Sequence, residues 1–238
     1  MTNAFIVGSK RTAFGSFGGK LSQINAAQLG GHAAKAALAQ AKADTPISST
    51  VFGVVTQSDS TTPYLSRHVG HHAGLPITVP ALTINRLCGS GFQAAINAFQ
   101  EIKSGDSEVV LTGGTENMSM SPYTLHGVRF GNTRYGVDLK LVDSLASSLV
   151  DQVPVPTPMG VTAENLAVKY GITREQCDQF ALQSQQLSDL IAVISANGRA
   201  EALMEAERAT AAEQGRIQRE RFLTPGSGYQ PGNAQMFN

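Results

Sequence analysis

A cysteine at the junction of an apolar strand and a helix constrains this chain more than any other feature. Residues 80–86 are rich in apolar and β-branched side chains, as in a buried strand, and residues 90–102 place apolar side chains at helical spacing. Cys88 stands between the two elements. A thiol at a helix N-terminus faces unpaired backbone N–H groups and the positive end of the helix dipole, and both stabilise the thiolate. The pattern therefore predicts that Cys88 is a nucleophile.

Two glycines and an apolar helix follow the cysteine and indicate how accessible and how deeply buried it is. Gly89 and Gly91 have no side chain that would block an acyl group, and they let backbone N–H groups face a developing oxyanion. The helix is apolar around most of its circumference, with no charge before Glu101, which is typical of a helix buried between layers. We therefore expect Cys88 to lie deep in the fold. The alternative is a core cysteine without chemistry, because free cysteines are among the most buried residues.

Strand and helix patterns alternate along the first half of the chain. Their order predicts an α/β fold with a mostly parallel, mixed sheet and helices on both faces. Open sheets of this kind place their chemistry at the carboxyl ends of strands, which is where Cys88 falls. A glycine pair inside the first helix, Gly30 and Gly31, predicts close helix packing. The predicted strands are residues 4–7, 51–55, 80–86 and 108–114, and the predicted helices are residues 25–40, 63–73 and 90–104.

The second half of the chain is less regular. Residues 117–158 contain many glycines and prolines without clear periodicity, and an irregular stretch of this length is usually functional. A helix is predicted at residues 162–170, and a second begins at Thr173, whose hydroxyl suits an N-cap. Cys177 in this second helix is expected to be a packed residue without chemistry. The chain then continues with an apolar run, an Arg- and Glu-rich helix and a polar tail that we expect to be disordered.

Charge and composition exclude several function classes. The formal net charge of the 238 residues is zero, so nothing electrostatic favours nucleic acid or an anionic membrane as a partner. The sequence contains no run of about 18 apolar residues, so no membrane span is predicted. Two cysteines make no disulfide framework, which fits a reducing compartment. His68 and His72 have the helical spacing of zinc ligands, but no carboxylate or cysteine lies near them in sequence, so we expect no metal.

Residues 84–91, with the sequence INRLCGSG, resemble the nucleophile motif of the thiolase family, the acetyl-CoA C-acyltransferases. Further blocks in family order support the resemblance, which covers about residues 4–186. Within the family, these motifs most resemble those of the mitochondrial 3-ketoacyl-CoA thiolases. Pro158 stands where biosynthetic thiolases have histidine before Met-Gly, which favours the same branch. The supporting blocks are KRT with FG at residues 10–15, RHVG at 67–70, GGTENMS at 113–119 and TAENLA at 162–167.

The resemblance implies thiolysis of 3-oxoacyl-CoA by CoA, as in fatty acid β-oxidation, through an acyl thioester on Cys88. Coenzyme A would be a co-substrate, and no tightly bound cofactor or metal is implied. Residues 1–118 would form the N-terminal α/β core, residues 119–186 a partial loop domain over the pantetheine arm, and residues 187–238 a divergent tail. Within the loop domain, Met159 would contribute to substrate binding.

The resemblance also implies assembly and location. Thiolases pair subunits through the strand that leads to the nucleophile, so residues 82–86 are expected at the interface of a homodimer or homotetramer. The mitochondrial branch favours the matrix, with the cytoplasm or the peroxisome as alternatives. A strand predicted as early as residue 4 leaves no room for a cleavable targeting peptide before it.

Other activities remain open at this point. Thiolases have two similar halves, and the motifs of the second half, which supply a histidine base and a second cysteine, do not occur in these 238 residues. We therefore expect no significant turnover and poor stability from this chain alone, and a catalytically incomplete dimerising or regulatory fragment is the main alternative. A condensing enzyme shares the fold and the cysteine, although the blocks favour thiolase. A cysteine hydrolase would need a base from His32, His68, His71, His72 or His126.

Overall fold

The computed structural model describes residues 3–41, 46–131 and 134–195, with side chains as far as residue 188. The chain divides into two compact units, and the boundary lies between Thr162 and Ala163. Of the divergent tail predicted at residues 187–238, the structure describes only residues 187–195, and residues 196–238 lie outside the described ranges. In the described ranges, no helix is both long enough and apolar enough to cross a bilayer.

A three-stranded parallel sheet forms the centre of the first unit. Its strands are β1 (Ser49–Gly53), β2 (Ala81–Ile84) and β3 (Val110–Gly114), in the order β2-β1-β3. Val51 of β1 pairs with Leu82 on one side and Thr112 on the other. Every residue of β1 is buried, as expected for a central parallel strand that is covered on both faces. The prediction of a parallel α/β sheet is confirmed.

Helices cover the two faces of this sheet. Helix α1 (Ala26–Ala41) precedes β1, α2 (Leu65–His72) connects β1 to β2 after a 3₁₀ turn, and α3 (Ser90–Ser104) connects β2 to β3. Phe52 packs in the apolar core beside the Leu65 and Val69 side chains of α2. The next residue, Gly53, faces the start of α3. Because successive side chains of a strand point to opposite faces, α2 and α3 lie on opposite sides of the sheet.

Small residues let α1 approach α2 closely. A Cβ atom at Gly30 would lie 2.9 Å from Val69 Cγ2, and one at Gly31 would clash with Cβ of His72. The predicted reason for the glycine pair is therefore confirmed. Buried apolar side chains from these helices and from the sheet form a single cluster: Ala26, Ala27, Ala34, Phe52, Val54, Leu65, Val69, Ala73 and Leu111.

The predicted strand at residues 4–7 is wrong. This segment has no regular structure, and Phe5 and Ile6 are 78% and 91% exposed. A strand needs a neighbour to satisfy its backbone groups, and an apolar, β-branched sequence does not supply one. The argument against a targeting peptide, which depended on this strand, does not hold.

Residues 117–158 contain more regular structure than expected. Strand β4 (Tyr123–Leu125) pairs antiparallel with β5 (Leu141–Asp143), and β6 (Val150–Asp151) pairs antiparallel with β7 (Thr157–Pro158). Between them is the short helix α4 (Ser144–Ser148), which the Asp143 carboxylate caps by accepting from two backbone N–H groups. Strands this short were missed because two or three residues show no periodicity.

Two helices follow the last hairpin. Helix α5 (Met159–Tyr170) begins three residues earlier than predicted, and α6 (Arg174–Ser195) begins one residue after the predicted cap. Thr173 Oγ1 accepts from Gln176 N at 3.3 Å, while Gln176 Oε1 accepts from Thr173 N at 2.8 Å. This reciprocal pair is a capping box, so the predicted N-cap is confirmed. Cys177 is exposed on α6, so the expectation of a packed cysteine was wrong.

Candidate active site

The Cys88 turn, residues 85–90, leads from the end of β2 into α3 and contains an unusual backbone conformation. Leu87 has a φ of 49°, and it is the one non-glycine residue with positive φ in the described part of the chain. A branched side chain in this left-handed region costs on the order of 1–2 kcal/mol. Leu87 N donates to Asn85 Oδ1 at 2.9 Å, which holds the strained residue immediately before Cys88.

Ser90 closes the same turn with its hydroxyl. Its Oγ atom accepts from Arg86 N at 2.8 Å and donates to Leu87 O at 2.6 Å. Gly89 N adds a backbone bond of 3.1 Å to Arg86 O. Ser90 itself is 5% exposed, and its two side-chain bonds are partly buried. The hydroxyl therefore connects both sides of the turn and fixes where the cysteine leaves the sheet.

Cys88 itself is exposed, so the prediction that it lies deep is wrong. The buried face of α3 consists of Ser90, Ala94 and Ala98, while Phe92 is 83% exposed. An apolar sequence around a helix predicts cover on two sides, but in this unit the fully buried residues of α3 are all small. The thiol is thus open to solvent at the carboxyl edge of the sheet.

The Glu116 carboxylate connects the segments that follow β1 and β3 at this edge. Glu116, two residues after β3, accepts from Val55 N at 2.7 Å and from Thr56 N at 3.3 Å. Burial raises the pKa of Glu116, and the two backbone donors oppose that shift. Asn85 Nδ2 donates to Val55 O at 3.1 Å, so the segment after β1 is held from both sides.

Sequence reasoning missed both Glu116 and Asn85 as parts of the site. A signal was present, because Glu116 follows one predicted parallel strand and Asn85 lies at the end of another, and the ends of such strands meet at one edge. What the sequence does not reveal is that both side chains bond to the same backbone segment, residues 55–56.

No described hydrogen bond connects the other predicted site residue, Met159, to the cysteine. Met159 is exposed at the start of α5, and its backbone N–H donates to Leu149 O at 2.9 Å. None of the described hydrogen bonds connects Met159 to the Cys88 turn. Its role in substrate binding stays a prediction.

No histidine is hydrogen-bonded to Cys88 in the described ranges. His32 lies on α1 and three histidines lie on α2, while His126 Nε2 is 3.0 Å from Thr124 Oγ1. His71 and His72 are exposed. Within the described chain, no three His, Cys, Asp or Glu side chains are grouped closely enough to hold a metal ion.

Two adjoining cavities lie beside β2, and neither includes Cys88. Their volumes are about 260 and about 340 Å³. Both are lined by Arg67, Ile77 and Val79, and Arg67 Nη1 donates to Ile77 O at 3.0 Å. Neither cavity reaches Cys88, which is exposed at the carboxyl edge of the sheet.

Comparisons with known proteins agree with this arrangement. The profile of the thiolase N-terminal domain matches residues 4–191. The chain is 54% identical over 187 residues to the mitochondrial 3-ketoacyl-CoA thiolase of Rattus norvegicus, covering 78% of this chain and 47% of the relative. It is 44% identical over 191 residues to the acetyl-CoA acetyltransferase of Cupriavidus necator, covering 79% and 48%. The chain thus spans about half the length of the curated relatives it matches.

A solved structure shows the same fold. The crystal structure of human mitochondrial 3-ketoacyl-CoA thiolase in complex with CoA superposes with a TM-score of 0.72 and 55% sequence identity, covering 76% of this chain and 46% of that one. Greater identity to the mitochondrial enzyme than to the bacterial acetyltransferase agrees with the branch that the motifs predicted. On the domain match, the sequence identity and the shared fold, this chain belongs to the thiolase family.

Proposed function

We propose that this protein is an acyltransferase that cleaves 3-oxoacyl-CoA with CoA, through an acyl thioester on Cys88. The observation that carries the proposal is the position of an exposed Cys88 at the strand–helix junction of a thiolase-family fold. The thiolate would attack the 3-keto carbon and form a new C–S bond. The bond between carbons 2 and 3 would then break, and its electron pair would leave with acetyl-CoA, which takes up a proton. The thiol of CoA would finally take the acyl group from Cys88 and regenerate the thiolate.

The geometry of the turn supports the first step. The N-terminus of α3 places the positive end of a helix dipole next to the thiol, which stabilises a thiolate. A Cβ atom added to Gly91 would meet no atom within 4 Å, so this side of the turn is open to an incoming acyl group. Electrostatic stabilisation by backbone donors is the contribution that acyl transfer requires most.

Substrate and location are proposed from the relatives. The rat relative is named a mitochondrial 3-ketoacyl-CoA thiolase, and the human one was solved with CoA. We therefore propose CoA as co-substrate, a role in fatty acid β-oxidation, and the mitochondrial matrix as location. Met159 is proposed to contact substrate.

A homodimer or homotetramer is proposed through β2. This strand lies at the edge of the three-stranded sheet and pairs only with β1 in the described chain. Leu82 in β2 is 43% exposed. An exposed sheet edge is a template for pairing with another strand, which supports an interface here.

The experiment uses an electrophilic substrate analogue, because no base is bonded to Cys88 in the described chain. Chloroacetyl-CoA and the chloroacetyl thioester of N-acetylcysteamine carry the same leaving group and the same reactive thioester, and only the first presents the whole of coenzyme A. We expect chloroacetyl-CoA to label Cys88 at least about tenfold faster than the short thioester does, with free CoA competing. Exposed Cys177 is the control in the same chain and should show no preference. Equal rates for the two reagents at Cys88, measured by peptide mass spectrometry, would rule out CoA recognition at this site.

A further inference from the structure

The carboxyl ends of the three parallel strands are connected by side chains that lead to the Cys88 turn. Glu116 follows β3 and holds Val55 N, which follows β1. Asn85 follows β2 and holds Val55 O, so both backbone groups of one residue are bound by side chains from neighbouring strands. Asn85 also accepts from Leu87 N. The contacts form one path from β3 to the residue before the cysteine.

We propose that Glu116 and Asn85 are positioning residues that fix the Cys88 turn against the edge of the sheet. The inference deepens the proposed function, since the turn matters through its nucleophile. Neither residue needs to touch substrate for this role. Both act on the residue before Cys88, Asn85 directly and Glu116 through Val55.

Glu116 accepts hydrogen bonds from two backbone N–H groups that the sheet leaves unpaired. Val54 N still bonds to Ile84 O, which extends the β1–β2 ladder by one residue. The chain then turns away, and the N–H groups of Val55 and Thr56 find their acceptors in the Glu116 carboxylate. Thr56 is 8% exposed, so water would replace this acceptor poorly. A carboxylate that accepts two N–H bonds makes shorter and stronger contacts than a neutral acceptor does.

Asn85 uses both ends of its amide group. Its Nδ2 donates to Val55 O at 3.1 Å, while its Oδ1 accepts from Leu87 N at 2.9 Å. The Asn85 side chain is exposed, so these bonds add little to the core. Their effect falls on Leu87, whose left-handed backbone needs such a restraint. We therefore expect loss of either side chain to loosen the turn more than it weakens the fold.

The test compares alkylation of the two exposed cysteines by iodoacetamide in the full 238-residue chain. The readout is the Cys88 rate divided by the Cys177 rate, so it requires no thiolase turnover. Glu116→Ala and Asn85→Ala should each lower this ratio about three- to tenfold, the range within which a helix terminus influences a neighbouring charge. Exposed Glu108, just before β3 at the opposite edge of the sheet, gives the matched control Glu108→Ala, for which no change is expected.

Two further variants separate positioning from general stability. Glu116→Gln keeps one acceptor for Val55 N and should restore the ratio to within about twofold of the parent. The double variant Asn85→Ala with Glu116→Ala should be no slower than the slower single variant, because both act on one path. If Glu116→Ala does not fold, Asn85→Ala and Glu116→Gln decide the matter, since the first is exposed and the second conserves volume.

Three results would overturn the proposal. The first is an unchanged ratio in folded Asn85→Ala or Glu116→Ala. The second is a pair of single effects that multiply in the double variant, which would show that the residues act independently. The third is an equal fall in the Cys88 and Cys177 rates, which would indicate a general loss of structure. Absence of CoA-directed labelling would contradict the proposed function and leave these ratios unaffected.

Discussion

Replacing Ser90 with alanine tests how firmly the Cys88 turn is built. The change removes one hydroxyl from a residue that is 5% exposed and adds no bulk. Arg86 N loses its acceptor at 2.8 Å, and Leu87 O loses its donor at 2.6 Å. We expect the variant to fold and to be measurably less stable.

The size of the effect follows from these two bonds. Each hydrogen bond contributes about 1 kcal/mol to stability, and a partly buried backbone group that loses its partner adds to the loss. Alanine in place of serine inside a helix recovers about 0.5 kcal/mol. The free energy of unfolding should therefore fall by about 1.5–2.5 kcal/mol. With a urea dependence on the order of 2 kcal/mol per molar, the midpoint shifts downward by about 1 M.

Urea unfolding followed by the helical circular dichroism signal measures this change. Ser104→Ala is the matched control, because Ser104 lies at the other end of α3 and its hydroxyl contacts, to Gln100 O, Glu101 O and Asp106 Oδ2, are all exposed. It should shift stability by less than about 0.5 kcal/mol. If Ser90→Ala is as stable as Ser104→Ala, the hydroxyl does not hold the turn and the reasoning fails.

Three other perturbations have expected outcomes. Gly53→Ala should destabilise the chain by at least about 2 kcal/mol in the same urea experiment, because the new Cβ would lie 2.7 Å from the Ser90 backbone carbon, which cannot move aside. Burial raises the pKa of Glu116 above its ordinary 4.5, which favours the protonated side chain in the folded state. The stability gained in this way is fully present below pH 4.5 and is lost as pH rises through the pKa of the folded state. Glu116→Gln should lack this decline in stability curves taken across pH. Asn117→Asp removes the Nδ2 donor that binds the backbone oxygens of Leu21, Ser22 and Ile24, the last at 2.8 Å. Tryptic cleavage after Lys20, the residue before this segment, should become about tenfold faster. An unchanged rate would show that the Asn117 amide does not anchor residues 21–24.

The sequence predicted the elements whose patterns are local. Helix α3 has the predicted start at Ser90, because a strand, a glycine-rich turn and helical spacing define it without reference to the rest of the chain. The parallel sheet follows from the alternation of strands and helices, which admits few topologies. The glycine pair in α1 was interpreted correctly, since a helix keeps such residues only where another backbone or side chain is close.

The failures share one physical cause. Whether residues 4–7 pair as a strand, and whether Phe92 is covered, depend on what packs against them, and apolar composition reports only the tendency to be buried. The exposure of Cys88 was missed for the same reason. Glu116 and Asn85 were missed because their partners lie 61 and 30 residues away, and such pairings arise only when the strand ends meet.

The central claim is that Cys88 accepts an acyl group from an acyl-CoA. The most direct measurement is peptide mass spectrometry of the full chain after prolonged incubation with acetyl-CoA, before and after treatment with hydroxylamine, which cleaves thioesters. The account predicts an acetyl group on the Cys88 peptide that hydroxylamine or free CoA removes, no such group on the Cys177 peptide, and none in Cys88→Ala. An acetyl group that appears equally on both cysteines, or on Cys177 alone, would contradict it.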